Sequence, residues 1–140
     1  NRSKEKKIMA AATKTVLYKD FDLNMRAHPV TGNLITKKNN DSVKQGVKSL
    51  VLTNRYERPY RADFGCDIRR RLFDLIDPTT EADVEADIRI AFENYMPRAV
   101  LLGVNALVDP DRNTMRVNIV YRPVNATEPV ETTLILERVR

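Results

Sequence analysis

The chain holds one cysteine, one histidine and no tryptophan in 140 residues. A lone thiol, Cys66, cannot close an internal disulfide, so a disulfide-stapled fold is excluded and a reducing site of synthesis is the default. With His28 as the only imidazole, a structural zinc site has too few ligands. Four glycines and seven prolines exclude collagen-like and low-complexity chains. An aromatic content of 6% argues against a broad stacking platform for bases or sugars. No apolar run approaches the roughly 18–20 residues of a membrane helix, and Lys14 and Lys19 interrupt the N-terminal stretch before a signal-like apolar core develops. There is no Gly-rich phosphate loop, no HExxH and no EF-hand loop.

What is present is charge, unevenly placed. The formal charge of +5 is carried by residues 1–19, where Arg2, Lys4, Lys6, Lys7, Lys14 and Lys19 face Glu5 alone. The rest is neutral but polarised. Ten bases against four acids over 37–71 give +6, and seven acids against Arg89 over 74–93 give −6. A basic pI therefore belongs to an N-terminal extension, residues 1–16, ahead of a single domain over 17–140.

Periodicity orders the domain. Residues 17–25 alternate as a short strand or extended arm, a turn follows at His28-Pro29-Val30-Thr31-Gly32-Asn33, and 34–36 form a second short strand. Asn40, Asp41 and Ser42 offer helix N-caps ahead of Val43, Val47, Leu50 and Val51, which share one helical face. The polar stretch 54–63 is a loop closed by Gly65. Asp67 caps a second helix with Ile68, Leu72, Leu75 and Ile76 inward and Arg69, Arg70 and Arg71 outward. Thr80 caps a third, with Val84, Ile88, Ala91, Phe92 and Tyr95 on one face and Pro97 as its stop. The period then changes to two, predicting strands over 100–108, 115–122 and 132–139 joined as an antiparallel meander. The last runs to the end of the chain and offers an edge. The fold class is α+β: three helices packed on a small antiparallel sheet, a C-terminal β-meander and an extended N-terminal arm.

No catalytic set stands out. Glu57, Asp63 and Asp67 cluster near the middle loop, and a carboxylate pair of the kind that cleaves peptidoglycan sugars is one reading. Solvated or ion-paired loop acids are the preferred one. Cys66 with His28 as nucleophile and base is weighed against a small buried cysteine after a turn glycine, and the latter is favoured. The acids at 81, 83, 85 and 87 are read as a solvated helix face rather than a calcium site. Arg69, Arg70 and Arg71 are read as pairing with acids on a neighbouring helix or a partner rather than with nucleic acid, because no aromatic residues interleave with them.

The middle loop carries a more specific pattern. Arg58-Pro59-Tyr60, four residues, then Phe64-Gly65-Cys66-Asp67-Ile68 resembles the signature of the contractile-phage baseplate wedge family that initiates the tail sheath, with relatives in type VI secretion baseplates. The similarity extends from Ser42-Val43-Lys44 and Thr53 through Leu72-Phe73 to Asn94-Tyr95-Met96-Pro97-Arg98, and covers roughly 18–139.

The resemblance implies a non-enzymatic subunit without cofactors, located in the tail baseplate of a virion. It would sit on the helical core bundle of a wedge and template the first sheath ring by strand addition. A family Glu-Pro-Arg motif grips the core bundle. Pro97 and Arg98 match it, and Met96 stands in place of the acid. The expected wedge-contacting residues are Pro97, Arg98, Arg58 and Pro59, with Phe64 and Gly65 shaping the loop. The expected sheath-contacting strands carry Val117, Ile119, Tyr121, Leu134 and Leu136, with the arm at 17–24 as a further contact. The expected partners are the core-bundle proteins and the sheath subunit, with no membrane and no nucleic acid.

Overall fold

The computed structural model describes residues 16–73, 79–109 and 111–137. The basic extension, Leu75 and Ile76 of the expected second helix, and Arg138, Val139 and Arg140 lie outside the described residues.

The elements run β1 (Lys19–Phe21), β2 (Thr36–Lys38), α1 (Asn40–Leu52), α2 (Ile68–Phe73), α3 (Thr80–Tyr95), β3 (Ala99–Asp109), β4 (Thr114–Pro123) and β5 (Val130–Glu137). This is the expected α+β arrangement. β3, β4 and β5 form an antiparallel sheet in that order, with β4 central. Alternation decides its faces. Met115, Val117, Ile119 and Tyr121 on β4 are fully buried, and Leu134 and Leu136 on β5 nearly so. They meet Val43, Val47, Leu50 and Val51 of α1, Ile68 and Leu72 of α2, and Val84, Ile88, Ala91 and Phe92 of α3 in one core. The Phe92 and Tyr121 rings pack with centroids 5.9 Å apart.

Of the two readings of residues 17–25, the short strand is the one found, at Lys19–Phe21. β1 and β2 pair with each other, Lys19 opposite Lys38, so the second strand lies two residues beyond its expected place. α1 holds this hairpin down. Gln45 Nε2 donates to the Phe21 carbonyl at 2.7 Å while its Oε1 accepts from the Leu23 N–H at 3.3 Å. Asn39 Oδ1 accepts from the Leu17 and Tyr18 N–H groups, which is why it makes no side-chain cap for α1. Ser42 is not the cap either, because α1 begins at Asn40 and Ser42 lies inside its first turn, where its hydroxyl donates to Asp20. At α3 the flanking residue is Thr79, and Thr80 is buried inside the first turn. α3 ends where expected: the Met96 N–H bonds to the Phe92 carbonyl, and Pro97 has no N–H to continue the ladder.

The middle loop closes on α1. The Cys66 N–H reaches the Thr53 carbonyl at 2.9 Å and the Tyr56 N–H the Ala62 carbonyl at 2.8 Å. Gly65 has φ of +111°, and a Cβ built on it would lie 2.3 Å from the Thr53 oxygen. Only glycine fits this position. Gly65→Ala should therefore cost about 2 kcal/mol or more of folding stability, read as a lower urea midpoint at unchanged slope.

Candidate functional site: a groove at Arg98 and two unlike sheet edges

Arg98 follows Pro97 at the corner between α3 and β3. Its Nη1 donates to Asp20 Oδ2 at 2.9 Å, and its guanidinium lies 5.2 Å from the centre of the Tyr18 ring. Asp20 also accepts from Ser42, so one carboxylate joins β1, the first turn of α1 and the α3–β3 corner. Glu93, near the end of α3, is exposed and does not pair with Arg98. Met96, where the family acid would stand, is buried. Its methyl would meet a Cβ on Gly46 of α1 at 3.5 Å. A carboxylate there would lose its hydration. In this chain the acid beside Arg98 comes instead from β1.

A groove of about 330 Å³ gathers Arg58, Phe64, Tyr95, Pro97 and Arg98 with the Ser42–Ser49 face of α1. Sequence positions 40 residues apart thus meet. The Arg58 guanidinium lies 4.5 Å from the centre of the Phe64 ring, and Phe64 packs on Tyr95 with centroids 5.2 Å apart. Phe64 is half-buried and packs against the core. Pro59 is exposed outside the groove lining. Arg98 keeps 43% of its side chain exposed, and Nε and Nη2 carry no partner among the described residues.

The acids at 81, 83, 85 and 87 of α3 are not simply a solvated face. Glu85 Oε1 accepts from the Ala106 N–H at 3.0 Å and Glu81 Oε1 from the Val108 N–H at 2.9 Å, both on the outer edge of β3. Asp87 accepts from Arg71 Nε at 2.8 Å and lies 3.7 Å from Arg55, and Asp83 takes Arg71 Nη1 at 3.1 Å. Of the three expected outward arginines, Arg71 turns to α3, while Arg69 and Arg70 are exposed. The spacing of Glu81 and Glu85 was visible in the sequence; that they would serve a strand's main chain was not.

The expected sheath-contacting residues need correcting. Val117, Ile119, Tyr121, Leu134 and Leu136 face the helices and are buried, so none offers its side chain outward. β4 is paired on both sides and cannot take another strand. Any strand addition falls to the outer edge of β3 or β5, and at β3 the Ala106 and Val108 donors are already taken.

The suspected catalytic groups are committed to local bonds. Glu57 accepts from the Asn54 N–H at 2.8 Å. Asp67 accepts from the Arg55 N–H at 3.4 Å. Asp63 accepts from the Tyr95 hydroxyl at 2.6 Å, a bond that holds its pKa below the usual value, the opposite of what a general acid needs. His28 is exposed in its turn, where Nδ1 accepts from Val30 N–H. Burial, with Asp87 nearby, pushes the Cys66 thiol up to about 12, so it stays protonated at neutral pH. It should resist a thiol-specific chromogenic reagent near neutral pH in the native chain and react once the chain is unfolded; fast native labelling would contradict this burial. Among the described residues no cluster of His, Cys, Asp or Glu is arranged to hold a metal, and no helix is long and apolar enough to cross a membrane.

Comparison with known proteins gives this geometry its class. Over 84% of the chain and 83% of its own length, a component of the anti-feeding prophage baseplate shares the fold at a TM-score of 0.59 and 19% identity. A chain of the postcontracted pyocin R2 baseplate does so at 0.52 and 16%, over 85% of this chain and 99% of its own. A Geobacter sulfurreducens protein, provisionally described as a tail lysozyme, matches at 0.61 and 26%, over 70% of this chain and 89% of its own. The fold is one used in the baseplates of contractile tails.

The sequence places the chain within that class. Baseplate wedge protein gp25 of Enterobacteria phage T4 is 32% identical over 90 residues, 64% of this chain and 68% of its own. The profile of the baseplate wedge protein gp25 family matches residues 37–127. The chain belongs to that family.

Proposed function

We propose that this chain is a non-enzymatic wedge subunit that grips the wedge core with Arg98 and templates the first ring of tail sheath through its sheet. The observation that carries the reading is the pairing of two features on one body. Arg98 lies half-exposed at the mouth of the groove with a guanidinium edge still available. At the other end of the core, β5 has no backbone partner beyond β4 among the described residues. A guanidinium fork recognises a carboxylate with direction. An open strand edge recognises another main chain without special side-chain chemistry. Together they suit a subunit held on one side and extended on the other. The committed loop acids and the protonated Cys66 support the non-enzymatic part.

Two measurements test this. The Arg98–Asp20 pair is partly exposed, so Arg98→Ala should cost the isolated chain about 1 kcal/mol or less. The same variant should fail to enter wedges in a co-assembly assay, and Arg98→Lys should restore only part of the entry because it lacks the fork. Normal entry of Arg98→Ala removes the grip from this residue. Baseplates assembled without the chain should not start sheath when sheath subunits are added; sheaths in normal number on such baseplates would sink the template.

A further inference from the structure

We infer that the outer edge of β5 is the docking edge, and that it takes an extended, acidic segment of the partner protein as a fourth strand. The inference rests on the template reading and specifies its edge and its chemistry.

The two sheet edges differ physically. At β3, Glu81 and Glu85 occupy the Ala106 and Val108 donors, and an incoming strand would have to displace two charge-assisted hydrogen bonds. At β5 nothing among the described residues pairs with the outer side. That edge opens on a groove of about 640 Å³ between residues 133–137 and the helices, walled by Lys48 and Leu52 of α1 and by Arg69 and Leu72 of α2. Leu134 and Leu136 continue its apolar floor. Lys48 and Arg69 are both exposed, and neither forms an ion pair among the described residues. The acid in the groove lining is Glu137. An adjoining depression shares Lys48, Leu52 and Arg69 and adds Lys44, which is also exposed and unpaired there; Asp22, Asp41 and Glu57 line it too, Asp22 being paired with Lys37 and Glu57 bound to the Asn54 N–H.

The occupant follows from these walls. A strand added to β5 continues the pleat, so alternate side chains turn toward the helical layer. Apolar ones rest over Leu52 and Leu72, and carboxylates meet Lys48 and Arg69. A second copy of this chain paired through β5 would bring two cationic walls together, which charge disfavours.

The test uses the full chain, labelled with 15N, and two short extended peptides, a glutamate peptide repeating Val-Thr-Glu-Thr and a lysine peptide repeating Val-Thr-Lys-Thr, so that valine and the charged residue alternate on the one face turned to the groove. The glutamate peptide should shift amides of 133–137 and those around Lys48 and Arg69, and the lysine peptide should not. Lys48→Glu with Arg69→Glu should weaken the glutamate peptide by about tenfold or more at an unchanged thermal midpoint. Equal binding of both peptides, shifts along Ala99–Asp109, no binding, an unaffected double variant, or self-association through β5 would each overturn the inference. Sheath growth on baseplates carrying the double variant separates the two readings. Blocked growth with the peptide mapping to β3 overturns the groove and leaves the template. Normal growth, with the peptide mapping to β5 and weakened by the variant, overturns the template and leaves the groove's chemistry standing.

Discussion

A three-stranded sheet has two edges, and in this chain α3 closes one of them with its own side chains. Glu81 and Glu85 lie four residues apart on the helix, a rise of about 6 Å. Ala106 and Val108 lie two residues apart on the strand, a rise of about 6.8 Å. The near match lets two carboxylates one helical turn apart meet two successive outward-facing N–H groups of β3. An unpaired edge is an aggregation hazard, and here the helix that supplies the core face of Val84, Ile88 and Phe92 also removes that hazard on one side. The sheet becomes directional as a result. Among the described residues, main-chain pairing along this sheet is least obstructed on β5.

The opposite end depends on a second shared carboxylate. Asp20 accepts from Ser42 and from Arg98, which ties the β1–β2 hairpin to α1 and to the corner after Pro97. Gln45 and Asn39 fasten the same hairpin through its main chain. Without these contacts β1 and β2, three residues each, would have little to hold them, since an isolated short hairpin is marginal in water. Arg98 is thereby oriented by contacts within the chain, and in the proposed wedge contact that orientation lowers the entropy an interface must offset. Arg58 on the Phe64 ring sets the groove's other wall in the same way.

Local rules made most of the elements legible. The apolar stripes of α1 and α3 and the alternation of β4 and β5 fall where periodicity places them, because each element buries one face in the same core. Gly65 was legible as a turn, and its necessity is sharper than a turn requires, because the Thr53 carbonyl occupies the space of a Cβ. What could not be read were contacts between residues far apart in sequence. Ser42 looked like a cap, yet α1 begins two residues before it, and its hydroxyl donates instead to Asp20, 22 residues away. Glu81 and Glu85 looked solvated until β3 crossed them. Val117 and Leu134 were assigned to a partner because alternation tells which residues share a face and is silent on which face is covered. The pattern Arg58-Pro59-Tyr60 to Ile68 pointed to the family, and no local rule would have brought Arg58 to Arg98 across 40 residues.

The charge pattern now has a spatial meaning. The acids that make 74–93 negative are largely spent inside the chain, on the β3 main chain and on Arg55 and Arg71. The bases that make 37–71 positive are only partly matched: Arg55 and Arg71 pair with α3, Lys37 pairs with Asp22, and Lys44, Lys48 and Arg69 remain exposed without an ion-pair partner among the described residues. The two opposite blocks therefore do not cancel on the surface. Among the described residues internal pairing consumes more of the negative block than of the positive one, and of the unpaired bases Lys48 and Arg69 stand on α1 and α2 beside β5. In the proposed docking at β5, which has no outer partner among the described residues, such a cationic wall would discriminate among strands, since a main-chain edge by itself accepts any of them and a like charge beside it rejects some.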